Sequence, residues 1–483
     1  MTKVNFTTKE EIMLKQYQGP LDENDIFLSS STEQITWKEL HANLDSKIEI
    51  LKKHNIGPHV IFVQAEDQVT LDDYLWILAS VKNGGSATQA DARQSPKELK
   101  ALAEGCKASC IIRSNKIEML NDPLETGPTI LHANEIYRGM TSGTTSKEIF
   151  EMYPFFWDFE DHEAAIVDGK TLLGCTPMAS TNHLFAVAPE FKKDKRPLVL
   201  CTHGFTATYN PYNLLRLYQI GGRLHFLNYG DDIAEQIMKV KPNCVISYPN
   251  AVKRIVDSCP DDFNWPIDYW ECSGGHTPKE VIQGVEKKFK FKVMYNMMAS
   301  TEADCHSRAE YRPGDPIENF YGFKHRIYNG DLKLDDRGVL WYKYGNIDWQ
   351  TDGDKFRDED GTWYYDGRIY DDVIFMKGGV KVYTGLVESV ALEVEGIDNV
   401  ASCSKDELHY LIYTGSADAE QLASYLKKNL QQSKQPHDIY HITTKLFFSG
   451  ENKLQKRKLP DIVMNSPAEE IIQKVHVKDY SKV

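Results

Sequence analysis

Hydroxyl side chains interleaved with a glycine are concentrated at Thr141-Ser142-Gly143-Thr144-Thr145, within the run from Met140 to Lys147. Such a loop offers several O–H and N–H donors and a permissive backbone, which a polyphosphate needs at close range. The same composition also makes an ordinary exposed turn. Ala299-Ser300-Thr301-Glu302 follows an apolar run that ends near Tyr295. It is expected at the carboxyl end of a strand, where open α/β sheets bind ligands. Glu302 could hold Mg²⁺ there, or be the acidic first turn of a helix. Further on stand Thr351-Asp352-Gly353-Asp354, the acidic turn Asp358-Glu359-Asp360-Gly361, and Asp366-Gly367-Arg368. An aspartate just past a turn glycine can accept both hydroxyls of a ribose, although Asp-Gly also makes turns with no further role. Asn452 to Leu459 is a basic loop carrying Lys453, Lys456 and Lys458, which by composition alone reads as a surface charge run.

Short apolar runs, each followed by a helical pattern, supply the frame for these residues. His59 to Gln64, Leu198 to Thr202, Arg223 to Asn228, Asn243 to Ser247 and Phe289 to Tyr295 read as strands, and Cys110-Ile111-Ile112 as another. Leu71, Tyr74, Leu75, Leu78 and Val81 recur at helical spacing, and Ala234 to Val240 is a second such segment. Strands alternating with helices predict a layered α/β architecture with mostly parallel sheets. Beyond Arg368 the texture changes. Ala401 to Ser404 and Leu408 to Thr414 read as a strand pair, Ala419 to Leu430 as a helix and Ile439 to Thr443 as a strand, a small α+β unit of about 110 residues. The expected division is residues 1–368 and 369–483.

With 483 residues, 41% hydrophobic and 26% charged, the chain is long enough for several domains and has the balance of a globular protein. A net charge of −14 opposes binding to a phosphate backbone, so no nucleic-acid role is expected. No apolar run approaches the ~18 residues of a membrane span, and Met1 to Lys15 has no export-type apolar stretch, so a cytoplasmic enzyme is expected. The nine cysteines are scattered and contain no C-x-x-C pair, which fits reduced thiols rather than disulfides or a thiolate metal site.

Taken in order, these segments resemble the adenylate-forming (AMP-binding) superfamily of acyl- and aryl-CoA synthetases, peptide-synthetase adenylation domains and luciferases. Thr141 to Thr145 matches the family's T-S-G-T-T-G-x-P-K loop, after which Ser146, Glu148 and Ile149 replace glycine, proline and lysine. Met298 to Glu302 is similar to Y-G-x-T-E, with Met298 in place of the tyrosine that stacks on adenine; a thioether can pack on that ring. Ser273-Gly274-Gly275-His276 resembles the loop flanking adenine, and Thr36 to Leu40 is a fainter echo. Thr351 to Asp354 resembles T-G-D, and Gly367 to Asp372 resembles G-R-x-D-D with one extra residue. Lys377 to Val382 looks like the glycine turn lining the CoA tunnel, and Asn452 to Lys456 like G-K-x-x-R, with Lys453 at the lysine position.

The resemblance implies a large N-terminal domain of two αβαβα subdomains plus a β-barrel, and a small mobile α+β C-terminal domain. It implies ATP, Mg²⁺ and CoA, or a phosphopantetheine thiol on a carrier protein, with a small carboxylic acid as substrate. Thr141, Ser142, Gly143, Thr144 and Thr145 would hold the phosphates, Thr301 the α-phosphate and Glu302 the metal. Gly274, Gly275 and Met298 would flank adenine, Asp354 and Arg368 the ribose, and Gly378 and Gly379 the thiol channel. Lys453 would be the catalytic ammonium. Ser273, Ala299 and His183 would line the acid pocket. The segment Thr176 to Phe185 lacks the aspartate of amino-acid-activating members, and looks closer to the P-[LM]-x-H pattern of acyl- and aryl-CoA synthetases. A CoA synthetase, a carrier-loading ligase and a catalytically impaired binding relative remain open at this point.

Overall fold

The computed structural model describes residues 17–90, 96–130, 135–140, 152–156, 165–167, 170–172, 188–205, 207, 209–228, 230–274, 277–300, 304–326, 331–343, 349, 351, 353–368, 373–376, 380–406, 408–430, 434–447, 454, 456 and 458–477. Contacts divide the chain into two units, Met1–Leu332 with Tyr342–Gln350 and Glu359–Tyr364, and Lys333–Trp341 with Thr351–Asp358 and Tyr365–Val483.

The first unit opens with the antiparallel pair β1 (Ile26–Ser29) and β2 (Gln34–Thr36). Six strands then make one sheet: β3 (Val60–Gln64), β4 (Ser86–Ala90), β5 (Cys110–Arg113), β6 (Lys116–Met119), β7 (Glu135–Met140) and β8 (Met152–Phe156). Their order is β6-β5-β3-β4-β7-β8, parallel at its centre and antiparallel at both edges. The short pair β9 (Ala165–Val167) and β10 (Lys170–Leu172) follows. Next come β11 (Leu198–Cys201), β12 (Arg223–Phe226), β13 (Cys244–Ser247), β14 (Pro266–Ser273), β15 (Lys290–Ser300), β16 (Asp304–Tyr311), β17 (Gly322–Phe323) and β18 (His325–Arg326). All of these except β17 join β1 and β2 in a nine-stranded sheet of order β18-β16-β15-β14-β13-β11-β12-β1-β2.

Alternation along the strands sets the layers. In β11, Val199 and Cys201 face one core while Leu200 faces another. The first core takes Ile61, Val63 and Ala87 from the six-stranded sheet as well as Val199, Phe226 and Ile246 from the nine-stranded sheet. Helices Leu71–Lys82 and Tyr209–Ile220 fill it, so they lie between the sheets. That is why every residue from Asp73 to Val81 is buried, where the helical spacing alone suggested one apolar stripe. Outside the six-stranded sheet, Val60 and Phe62 pack on Leu102 and Ala103 of helix Pro96–Gly105. Outside the other sheet, Leu200, Val245 and Trp270 pack on Ile237, Val252, Ile255 and Ile282 of three helices. The two sheet subdomains therefore stack five layers, α, β, α, β, α. Each fully buried Leu, Ile or Phe in them contributes ~1.5–3 kcal/mol.

Where the resemblance puts a β-barrel, the chain forms β19 (Asp331–Leu334), β20 (Leu340–Lys343), β21 (Asp354–Glu359) and β22 (Thr362–Arg368), with β17 antiparallel to β22. Asp360 and Gly361, at φ 52° and 82°, make the two-residue turn from β21 to β22. The second unit continues with the antiparallel pair β23 (Val373–Met376) and β24 (Val380–Tyr383), then helix Thr384–Leu392. A four-stranded sheet of β25 (Ile397–Lys405), β26 (Leu408–Gly415), β27 (Asp438–Ile442) and β28 (Ile471–His476) carries helix Ala419–Asn429. Leu411 and Tyr413 of β26 face one core with Val387, Leu422 and Leu426, while Tyr410 and Ile412 face a second with Leu459 and Val463. The expected strand pair, helix and following strand are all present.

Candidate active site

In the nine-stranded sheet the carboxyl ends of β11, β12, β13, β14 and β15 stand in register, Cys201 beside Phe226 and Ile246, Ser247 beside Cys272, and Ser273 beside Met297. The chain leaves β11 towards β12 on one side, then returns past it to β13 and continues to β14 and β15 on the other. The crevice where connections diverge therefore opens between β11 and β13, and such a switch point is where doubly wound sheets bind ligands.

His203 follows β11 and Tyr248 follows β13, and their rings meet edge to face with centroids 5.8 Å apart. His203 is 8% exposed. Its loop is fixed from below: Asn210 donates from Nδ2 to the carbonyls of His203 at 2.9 Å and Gly204 at 3.2 Å. Gln89 of β4 donates to the Phe205 carbonyl, and the Phe205 ring stands edge-on to Tyr74 at 5.2 Å. The neighbouring thiols are not nucleophiles, since burial pushes Cys201 and Cys272 up to about 12.

Of the residues singled out in the sequence, the structure brings four together at the ends of β14 and β15. Ser273 is buried at the last position of β14, and Gly274 follows in the left-handed region at φ 87°, with open space where a Cβ would point. Met298 and Ala299 are half-buried, and a register shift against β16 falls between them. Such irregularities re-aim side chains beside functional sites. The apolar run predicts an end to this strand near Tyr295. In the structure it runs on to Ser300, because antiparallel pairing with β16 extends it. The next strand, β16, begins at Asp304, while Thr301 and Glu302 lie outside the described residues.

Asp354 belongs to the second unit and is 3% exposed. Its approach is a tight turn in which the Thr351 hydroxyl donates to the Leu340 carbonyl at 2.6 Å and accepts the Gly353 N–H at 3.0 Å. Gly353 sits at φ 86°. Asp354 thus enters β21 as a buried carboxylate. Arg368 is the last residue of β22. Thr141, Ser142, Gly143, Thr144, Thr145, His183, Gly275, Thr301, Glu302, Gly378, Gly379 and Lys453 lie outside the described residues. The strand before Thr141 ends at Met140, and Met376 and Val380, on either side of 377–379, pair with each other.

Two residues change standing. Lys456, in the basic loop, is not a solvated charge: its ammonium reaches Glu388 at 2.8 and 3.0 Å and the Thr384 hydroxyl at 3.4 Å. His203, which the sequence did not single out, stands at the crevice, and His183 lies outside the described residues. The signal was present, a histidine directly after a predicted strand and followed by glycine. Thr36 also has a local explanation, since it caps helix Trp37–Lys53 in a reciprocal capping box with Glu39.

The five-layered first unit and small α+β second unit are the fold of the adenylate-forming enzymes. ATP-bound MatB from Rhodopseudomonas palustris superposes with a TM-score of 0.67 at 12% identity, over 95% of this chain and 99% of that one. O-succinylbenzoate Coenzyme A Synthetase (MenE) from Bacillus subtilis, in complex with AMP, gives 0.68 at 16% identity over 93% and 97%. The same synthetase has been solved with ATP and magnesium ion and with the acyl-adenylate intermediate OSB-AMP. In sequence, the chain is 19% identical over 458 residues, 91% of its length, to 92% of VraA of Staphylococcus epidermidis, provisionally named a long chain fatty acid-CoA ligase. No family model matches the chain.

Proposed function

We propose that this protein is an AMP-forming acid–thiol ligase that uses ATP and Mg²⁺ to convert a carboxylic acid to its acyl-adenylate and then transfers the acyl group to the thiol of CoA. The observation that carries the reading is the row of strand ends at which Ser273, Gly274, Met298 and Ala299 meet beside the β11–β13 crevice, together with a fold whose solved examples hold ATP, AMP and an acyl-adenylate.

In this reading a carboxylate oxygen attacks the α-phosphorus and pyrophosphate leaves; the thiol sulfur then attacks the acyl carbonyl and AMP leaves. The rate comes from positioning and charge stabilisation, not from a protein nucleophile. Gly274 and Met298 flank the adenine, and the space at Gly274 lets a flat ring approach the backbone. Asp354 accepts the ribose hydroxyls and Arg368 stands near ribose or phosphate. Thr141 to Thr145 hold the β- and γ-phosphates, Thr301 the α-phosphate, and Lys453 the charge that gathers there. Glu302 supplies the oxygen charge that a hard cation requires. His203 and Tyr248 line the acid. Residues 369–483 form the mobile domain that alternates between the two half-reactions, with Gly378 and Gly379 towards the thiol. No described helix is long and apolar enough to cross a membrane, and we place the reaction in the cytoplasm.

Exchange of labelled pyrophosphate into ATP, run with fatty, aryl and dicarboxylic acids, tests the reading. One acid class should support exchange, with thioester forming when CoA is added. Exchange without thioester until a phosphopantetheinyl carrier replaces CoA would make it a carrier-loading ligase. No acid-dependent exchange would leave a nucleotide- or acyl-binding relative.

A further inference from the structure

The second unit carries a cluster of metal-ligating side chains that the ligase chemistry does not use. His437, Asp438 and His476 each offer a ligand atom, and these atoms lie within 4.8 Å of one another. They converge through the pairing of the last two strands. Asp438 opens β27 and stands directly across from His476 of β28, whose Nδ1 is 2.8 Å from its Oδ1. His437 lies just before β27, where it need not alternate with Asp438, and its Nε2 is 4.0 Å from the same oxygen. Its backbone is fixed on both sides, by donation to the His409 carbonyl and by acceptance from Val477. The two imidazole planes cross at 86° with centroids 4.7 Å apart.

We propose that His437, Asp438 and His476 bind a divalent transition metal of the zinc type, with three protein ligands and water completing the shell. Ligands ~2.0–2.1 Å from a tetrahedral zinc stand roughly 3.3 Å from one another. The two separations from Asp438 Oδ1, 2.8 and 4.0 Å, bracket that value. Two imidazoles with one carboxylate select zinc, cobalt or nickel over magnesium or calcium, which demand oxygen. Lys474 holds the other carboxylate oxygen at 3.0 Å and leaves Oδ1 to the histidines. His476 is half exposed, which gives the ion an entry path and an open face for water. Bound there, the metal ties β28 to β27.

The test uses the full-length, tag-free protein, stripped with a chelator and titrated with Zn²⁺ against a chromophoric competitor, then with Co²⁺ to read ligand-field bands. One equivalent should bind at micromolar metal. His437→Ala and His476→Ala should each weaken binding by at least ~10-fold and lose the cobalt bands. Zn²⁺ should raise the unfolding temperature of the parent protein but not of the variants. All three proteins should show equal acid-dependent pyrophosphate exchange, because none of these residues is placed in the ligase machinery. Asp438→Asn, close to isosteric, provides a check that does not depend on deleting a ring. No binding by the parent at micromolar Zn²⁺, or equal affinity in parent and both histidine variants, would overturn the proposal.

Discussion

Lys456→Ala should destabilise the second unit without touching the chemistry, and the structure sets the size of the effect. The Lys456 ammonium bridges both oxygens of Glu388, whose side chain is 16% exposed against 22% for Lys456. Without it, the donor that Glu388 keeps among the described residues is the Ser402 N–H at 2.7 Å. Stripping one partner from a fully buried pair costs ~3–5 kcal/mol. Because both groups retain some solvent, about 2–3 kcal/mol is expected here, equivalent to a ~30- to 150-fold loss of amide protection where opening of this unit controls exchange. Hydrogen exchange at Ser402 and along β25 reads this directly. Glu388→Gln in the Lys456→Ala background should restore much of the loss, since no unpaired charge then remains, and the double-mutant cycle should return a coupling of at least ~1 kcal/mol. Acid-dependent pyrophosphate exchange, measured below the unfolding transition, should remain near the parent rate. Intact protection with collapsed adenylate formation would refute the reasoning and make Lys456, not Lys453, the catalytic ammonium.

Other perturbations separate fold from function in the same way. Gly274→Val meets open space, so its strained φ should cost only ~1–3 kcal/mol, yet the added side chain should raise the KM for ATP several-fold if adenine lies against this turn. Asp354→Ala should raise the KM for ATP by at least ~10-fold through loss of a charged acceptor, read in the exchange assay across ATP concentrations. Burial lowers His225 to about 4, with Ser29 and Gln236 on its two ring nitrogens. In the unfolded chain an imidazole titrates near ~6.5, so between these values the unfolded state binds the extra proton. Stability from this site is complete above pH ~6.5, and about 2 kcal/mol of it is lost by pH ~5. Urea midpoints should therefore fall less between these pH values in His225→Gln than in the parent.

Much of the frame was legible because strands buried on both faces are written as unbroken apolar runs, as in Val60 to Val63 and Cys244 to Ile246. What escaped was burial without hydrophobicity. Ser86 to Ala90 is buried throughout yet reads as polar, since its neighbours rather than its composition make it a strand. The true length of β15 depended on a partner strand downstream, which local periodicity does not register. Order along the chain made Gly274, Met298 and Asp354 candidates, whereas His203 becomes one only once β11 and β13 are seen to flank the switch point. Lys456 looked like its neighbours because Glu388 is 68 residues away, and Asp438 and His476 are 38 apart. Pairs at such distances leave no trace in spacing.

The central claim is that a carboxylate oxygen attacks the α-phosphorus of ATP. It is tested most directly by supplying the acid that supports exchange with ¹⁸O in its carboxylate, adding ATP, Mg²⁺ and CoA, and weighing the products. Attack at the α-phosphorus followed by thiol transfer leaves one labelled oxygen in AMP and none in pyrophosphate. AMP without label, or label in inorganic phosphate released with ADP, would contradict it.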